Sequence, residues 1–501
     1  MDTSDLIHSG YTERPPLAAR GRHNAPVDDL QWACCIMNGM NLLKSKTRFL
    51  FTACAIVTFF IPTLSAHCQT SPTAPRVTSL AAETANNTSA DNSWRGSFNS
   101  VPKGGNISPL PLSSLLPPGT QTRFIAHVVP FFTSACTGNP KNCHVNVGYD
   151  QDDGAVVARQ IADMRRRGFS VVLLDWYGPA NTHADGTAQK IMQESERLKR
   201  AGTDFSFVLT PDKGIASKCN TDQGCNTSMV IEGLTYASKT YFKSPAYLRV
   251  NGRPVVPFFW FDSNHPVNWD EVVAKVPDNP ILVFINGGGF HHPDSGGAFS
   301  WEGFKDPSDE GLEYLANFYK AAQQEGQGKV VIGDAFPGFD DRLASWGKGK
   351  IADRRCGMTW LDSVNESLQY EKLTGNALPF LQVVTWNDYE EGTAVEPGID
   401  NCVAAIPASI QGNRLTWSVA FSKDPLNFTG SEVTIAFYRI FTSPDGQTLQ
   451  ELARVPTNPQ HSGRYEIDLA SFSLQSGQKL YIEAVGKSMI LNHLSDAIAV
   501  P

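Results

Sequence analysis

Residues 154–179 read GAVVARQIADMRRRGFSVVLLDWYGP, and this stretch decides the fold. In its first half, apolar side chains recur at Val156, Val157, Ile161 and Met164, the spacing of an amphipathic helix. Arginines crowd its end, and Gly168 stops it. The second half, 169–179, is a run of Val and Leu without alternation that turns abruptly polar and aromatic at Asp175, Trp176 and Tyr177. A strand apolar on both faces must be covered on both faces, which is the habit of parallel sheets.

Outward from this unit the rhythm repeats. Strands are expected at 124–132, 205–212, 253–262, 280–289, 329–339 and 378–392. Helices are expected at 187–202, 228–242, 268–276, 310–326 and 363–375, while GAFSWEGF (297–304) reads as a loop. Seven or eight such units between 121 and 404 predict a (β/α)8 TIM barrel in the α/β class. A doubly wound open sheet has the same rhythm, but no strand runs into GxGxxG, so no dinucleotide cradle is expected. The Gly287-Gly288-Gly289 run reads as a loop that needs φ > 0. From 405 to 501 the pattern changes to short, alternating, turn-bounded strands such as SEVTIAFYRIFTS (431–443). These predict a C-terminal β-sandwich of immunoglobulin or fibronectin type, which either binds glycan or packs beside the barrel.

The N-terminal part is of another kind. Lys44, Lys46 and Arg48 precede the apolar run FLFTACAIVTFFIPTL (49–64), followed by Ser65 and Ala66. This is the layout of a signal peptide around 44–66, and the run is short for a membrane span. A type II membrane anchor starting at Met1, or a true start at Met37 or Met40, are the other readings of residues 1–68. Residues 69–120, rich in Ser, Thr, Pro and Asn, read as a disordered linker. Six of the ten cysteines follow the signal: Cys136, Cys143, Cys219, Cys225, Cys356 and Cys402. An even number in an exported chain suggests disulfides, with Cys136–Cys143, Cys219–Cys225 and Cys356–Cys402 as the expected pairs and free buried thiols as the alternative. The expected location is secreted, cell-surface or periplasmic.

Composition narrows the partners. Of the 501 residues, 41% are hydrophobic and 18% charged, so most of the chain can bury a core. Lys and Arg total 42 against 50 Asp and Glu, a net charge of −8. Taking away the six basic and five acidic side chains of residues 1–68 leaves 36 and 45, a net charge of −9. No basic excess exists to neutralise phosphates, so nucleic-acid binding is not expected.

The strands share one trait: each ends in carboxylates, amides or aromatic rings. These are Asp175-Trp176-Tyr177, Asp212, Trp260 with Asp262, Asn286, Asp334, and Trp386-Asn387-Asp388. In a barrel such ends converge on one mouth, where active sites lie. Rings that stack on sugar CH faces, beside carboxylates that bind hydroxyls or transfer protons, describe a carbohydrate site. Singly, Asp212 or Asp334 is as readily a helix N-cap. His127, inside the first strand, is a candidate substrate contact or a satisfied core residue. Trp301 is a candidate stacking ring or packing residue. His291-His292-Pro293-Asp294 has no HExxH partner, so no metal and no cofactor are expected.

The segment VTWNDYEEGTAVEP (384–397) carries the chemistry. Asp388 and Glu391 stand three residues apart, with Glu390 and Glu396 close by. Glycoside hydrolysis needs two carboxyl functions, and two on one turn can have split pKa values. An Asp-x-x-Glu pair alone also caps helices; Trp386 and Asn387 beside it strengthen the case.

TWNDYEEGT (385–393) resembles the strand-8 signature of glycoside hydrolase family 71, the α-1,3-glucanases or mutanases. FIAHVVPFF (124–132), with its Ala-His, resembles that family's first strand, and GAVVARQIADMRRRGFSVVLLDW (154–176) its first helix and second strand. The resemblance spans about 124–404. It implies hydrolysis of an α-glycosidic bond in a polysaccharide by an inverting mechanism, with Asp388 and Glu391 on the family's catalytic carboxylates. Which of them is acid and which base stays open. The chain departs from the family at Glu390-Glu391-Gly392-Thr393, where the pattern resembles family 99, the retaining endo-α-mannosidases. The substrate is therefore α-1,3-glucan, an α-mannoside or another α-linked glycan. A catalytically silent glycan-binding protein on the same scaffold is the remaining alternative. Asp175, Trp176, Tyr177, Asp212, Trp260, Asp262, Asn286, Trp301, His127, Trp386 and Asn387 are the expected substrate contacts.

Overall fold

In the computed structural model the described residues are 106–133, 147–259, 261, 264–304, 310–443, 448–458 and 463–501. The expected signal or anchor, most of the linker, the Cys136–Cys143 pair, Trp260 and Asp262 lie outside them.

Helix α1 (Gly154–Arg166) forms where the periodicity puts it. Asp153 caps it by accepting the N–H of Ala155 at 2.7 Å, and Val156, Val157, Ile161 and Met164 are buried. Gly168 at φ 101° turns the chain into the next strand. The parallel strands are β1 (Arg123–Val128), β2 (Val171–Trp176), β3 (Ser206–Pro211), β4 (Arg253–Phe258), β5 (Ile281–Ile285), β6 (Gly297–Phe299), β7 (Val330–Ala335) and β8 (Phe380–Val383). They pair in the order β3-β2-β1-β8-β7-β6-β5-β4, with a short antiparallel strand, Arg249–Val250, on β4. The two ends are tied to each other: Phe259 N–H donates to Pro211 O at 3.0 Å and Lys213 N–H to Phe259 O at 3.1 Å. Helices α2 (Thr182–Arg200), α3 (Gln223–Thr240), α4 (Trp269–Lys275), α5 (Leu312–Glu325), α6 (Met358–Glu366) and α7 (Leu368–Thr374) accompany the strands. The arrangement is TIM-like.

Three expectations change here. The loop at 297–304 contains strand β6, only three residues long and joined to β5 by a 3-10 turn, Gly287–His291, instead of an α-helix. It is too short to show a period. The glycines of that turn do not need positive φ. Asn286 takes that role at φ 67°, while a Cβ on Gly289 would lie 2.6 Å from Phe284 O, so close approach is what requires glycine there. Finally, residues 106–120 are not tether. Asn106–Ile107 pairs with a C-terminal strand, and Leu112 and Leu116 join the barrel's core.

The C-terminal part is antiparallel. Strands β9 (Ala408–Gln411), β10 (Arg414–Ser418) and β13 (Arg464–Asp468) form one sheet. Strands β11 (Ile435–Ser443), β12 (Gln450–Pro456), β14 (Lys479–Gly486) and β15 (Leu491–Leu494) form most of a second. Leu415 and Trp417 from the first share one apolar cluster with Tyr438, Ile440, Leu480 and Ile482 from the second. This part is stitched to the barrel. The Cys356–Cys402 disulfide, the Trp360 indole N–H donating to Ser488 O at 3.0 Å, and Met489 and Ile490 in the barrel's core all cross between them. Cys219–Cys225 is the second disulfide of the described residues, and both fit an extracellular protein. Among the described residues no helix is long and apolar enough to cross a membrane.

Candidate active site

Register decides which strand-end residues face the interior. His127 pairs with Leu173 and Asp175 with Thr210, so these side chains share the inner face, and side chains alternate along each strand. Asp175 and Trp176 therefore point opposite ways. Trp176 is 0% exposed on the helix side; its indole N–H donates to Asp185 at 3.2 Å and its ring stacks on Tyr236. It has no face to offer a sugar.

After β8 the chain folds into a tight turn. Thr385 Oγ1 accepts the N–H of Asp388 at 2.7 Å, and Asp388 O accepts the N–H groups of Thr393 and Ala394, both at 3.0 Å. Asn387 fastens this turn to the end of β1, accepting Val129 N–H at 2.9 Å and donating to Val129 O at 3.0 Å. Its amide is thus committed to the backbone and not to a substrate hydroxyl. Trp386 is also corrected: its ring is 0% exposed, with the Arg167 guanidinium 4.8 Å above it. Arg167, itself paired with Asp163, donates to Val395 O and Glu396 O and so clamps the far end of the turn to α1. Glu396 is a buried anchor, accepting from the hydroxyls of Tyr149 and Tyr389 and from Gln160.

This scaffold holds Asp388 and Glu391 together, both nearly buried. Asp388 Oδ1 accepts the N–H of Glu391 at 2.9 Å, and Glu391 Oε1 accepts the indole N–H of Trp346 at 2.8 Å. Burial pushes the Asp388 carboxyl up to about 6, against the backbone N–H groups that favour its anion. Burial and the neighbouring Asp388 charge push Glu391 up to about 8. Around this pair stand further carboxyls. Asp175 accepts the Tyr177 hydroxyl at 2.5 Å. It is raised well above the usual range, first by burial and then by the charges of Asp212, Asp388 and Glu391. Asp212 caps a 3-10 turn through Gly214 N–H at 2.6 Å and is raised by burial to about 7, with Lys213 opposing. It is a cap and a member of the cluster at once.

The remaining expected contacts are distributed. His127 is buried beneath the mouth, 3.4 Å from Gln382 Oε1, and burial pushes its ring down to about 3, so it is neutral. Trp301 packs edge-on between His127 and Phe259, at 4.7 and 4.6 Å between ring centroids, filling the interior. Asn286 accepts the hydroxyl of Tyr314. His291 pairs with Glu325 and His292 stacks on Phe284. Among the described residues no group of three or more His, Cys, Asp or Glu could hold a metal ion.

The site also holds three residues that the sequence reading does not name, and Asp334, a strand-end carboxyl that it names without placing it among the substrate contacts. Glu302, just past β6, is raised well above its usual range by burial and by the charges of Glu391 and Asp334. Asp334 on β7 is fully buried and pushed up to about 8. Trp346 and Phe131 are partly exposed and complete an aromatic wall with Tyr177: Phe131 lies 6.1 Å from Tyr177 and 6.0 Å from Trp346. The strand-end rule points to Glu302 once β6 is seen. Nothing in the sequence marks Trp346, which sits on a loop remote from any strand-end pattern.

No protein-family model matches the chain, and no curated protein matches it. Among solved structures it is similar to a GH99 endo-alpha-mannosidase from Bacteroides thetaiotaomicron, at 16% identity over 57% of this chain and 90% of that one, with a TM-score of 0.43. A glycoside hydrolase-like protein matches at 12% identity over 62% and 92% with the same TM-score. An endo-beta-1,4-mannanase double mutant of Cellulomonas fimi matches at 10% over 76% and 94%, with a TM-score of 0.33. Likenesses this distant carry no functional argument.

Proposed function

We propose that this chain is a secreted or surface-anchored glycoside hydrolase that cleaves an α-linked polysaccharide, α-1,3-glucan first among the candidates. The observation that carries the reading is the Asp388–Glu391 pair: two adjacent, buried carboxyls whose environments separate their pKa values. Asp388 accepts backbone N–H groups and ionises first; its charge and the burial keep the proton on Glu391. Near neutral pH the pair is thus one carboxylate and one carboxylic acid. Glu391 donates its proton to the departing glycosidic oxygen, and Asp388 acts as the base on the water that replaces it. Asp175 and Asp212 hold hydroxyls of the sugar ring, and the wall of Phe131, Tyr177 and Trp346 takes its CH face. The two disulfides favour an oxidising, extracellular setting, and the antiparallel C-terminal part serves as a β-sandwich that braces the barrel.

Reducing-sugar release from α-1,3-glucan and α-mannan, with Asp388→Asn and Glu391→Gln as controls, tests this. Turnover by the unsubstituted chain should drop by roughly 10²–10⁴ in either variant. Turnover that survives both substitutions removes the pair from the mechanism. Binding without turnover on every α-glycan makes the protein a lectin. Release from mannan alone transfers the substrate assignment to α-mannosides, and the anomer of the first product distinguishes inversion from retention.

A further inference from the structure

The loop between the short paired strands Phe339–Asp340 and Ile351–Ala352 is built to place one side chain. Asp341 is fully buried in its base and accepts the N–H of Lys350 at 2.6 Å and of Lys348 at 2.9 Å. Gly347 passes so close that a Cβ would lie 1.8 Å from Asp341 O, so glycine is required. The loop is docked directly on the turn after β8: Asp340 N–H donates to Glu391 O at 2.8 Å, and Arg354 donates to Gly392 O. What this framework delivers is the Trp346 indole N–H, 2.8 Å from Glu391 Oε1.

An indole nitrogen can only donate. A carboxylic acid can carry its proton on either oxygen, and the oxygen that already accepts a hydrogen bond is the worse host. We propose that Trp346 is the positioning residue for proton transfer: by occupying Oε1 of Glu391 it leaves the transferable proton on Oε2, and the same ring forms part of the sugar-facing wall. This rests on the reading of Glu391 as the acid. The placement of the sugar and the orientation of the acid are then coupled through one side chain, since a sugar that packs on the ring packs on the group that aims the proton. The titratable groups that face Glu391 are Asp388, Asp341, Glu302 and Asp175, all of them carboxyls, and the indole donates a hydrogen bond among them.

Trp346→Phe keeps a ring and removes the donor; Trp346→Leu removes both. A hydrogen bond to a carboxylate favours its anion, so its loss should raise the alkaline limb of kcat/KM by about one to two pH units in both variants. On the natural glycan kcat should fall about tenfold or more. On a dinitrophenyl α-glycoside, whose leaving group needs no proton, the fall in kcat of Trp346→Phe should be markedly smaller than on the glycan. KM should rise only in Trp346→Leu. An alkaline limb that stays in place in both variants overturns the proposal. Movement of the acidic limb instead shows Glu391 to be the base and overturns the acid assignment together with it. A readout independent of turnover separates the two: infrared titration of the full chain labelled with 13C-glutamate, assigned with Glu391→Gln. If no glycan is cleaved, a higher Glu391 pKa in Trp346→Phe still supports the contact's role, and an unchanged one refutes it.

Discussion

Asp334 offers a measurement of what the acidic interior costs the fold. Its side chain is fully buried on β7, and burial lifts its carboxyl from 3.8 to about 8. The native chain therefore holds a proton that the unfolded chain has already lost. The stabilisation from this group is fully present below pH 4 and declines as pH rises through about 8. Within that window the slope does not depend on the final pKa. One retained proton costs about 1.4 kcal/mol per pH unit, or about 2.7 kcal/mol between pH 5 and pH 7. Asn has nearly the shape of protonated Asp and does not titrate. If Asn packs as protonated Asp does, Asp334→Asn should exceed the unsubstituted chain by about 1.6 kcal/mol at pH 5 and by about 4.3 kcal/mol at pH 7. Guanidinium unfolding at pH 5, 6, 7 and 8 reads the difference directly. A gap between the two proteins that does not widen with pH would refute the claim that Asp334 is protonated in the native state.

The other expectations can be checked more briefly. With Asp388 ionising near about 6 and Glu391 near about 8, kcat/KM should be bell-shaped with its plateau between those limits; a profile that climbs monotonically contradicts the split pair. Trp176→Ala should lower stability by about 3–5 kcal/mol yet leave KM unchanged below the melting temperature, because the ring packs on Tyr236 and Tyr241 behind the sheet. Opening the Cys356–Cys402 bridge, which closes 46 residues, should cost about 4 kcal/mol, seen as a lower Tm in Cys402→Ser. An unchanged Tm would mean that the contacts of Met489 and Ile490 hold the C-terminal part in place without it.

The barrel was legible because its strands are long and apolar on both faces, and because Asp153 and Gly168 mark the ends of α1 with local chemistry. The sixth strand escaped for the opposite reason: three residues show no period, and no α-helix precedes it. In the candidate site, the strand-end pattern names the carboxyls of β2, β3, β7 and the turn after β8, because the ends of parallel strands lie together in space. Of the rings it names, Tyr177 stands in the aromatic wall, but two tryptophans do not. Trp176 and Trp386 sit beside carboxyls in sequence, and alternation or turn geometry sends them the other way. The exposed aromatic wall comes from Phe131, Tyr177 and Trp346, brought together only by folding.

The surplus of acids at the mouth bears on what can enter it. Burial raises the carboxyls of Asp175, Asp212, Glu302, Asp334, Asp388 and Glu391; neighbouring charges raise Asp175, Glu302 and Glu391 further, while Lys213 opposes the rise at Asp212. An anionic sugar, a uronate or a sulfate ester, would add a further charge to a region where burial already makes ionisation costly. A neutral sugar instead supplies hydroxyl donors to Asp175 and Asp212, which favour their anions and pull their pKa values down. Binding of a neutral α-glycan should therefore release protons. Calorimetry in buffers of different ionisation enthalpy measures that release at pH 7. Proton uptake on binding would mean that the substrate's hydroxyls do not reach these carboxyls.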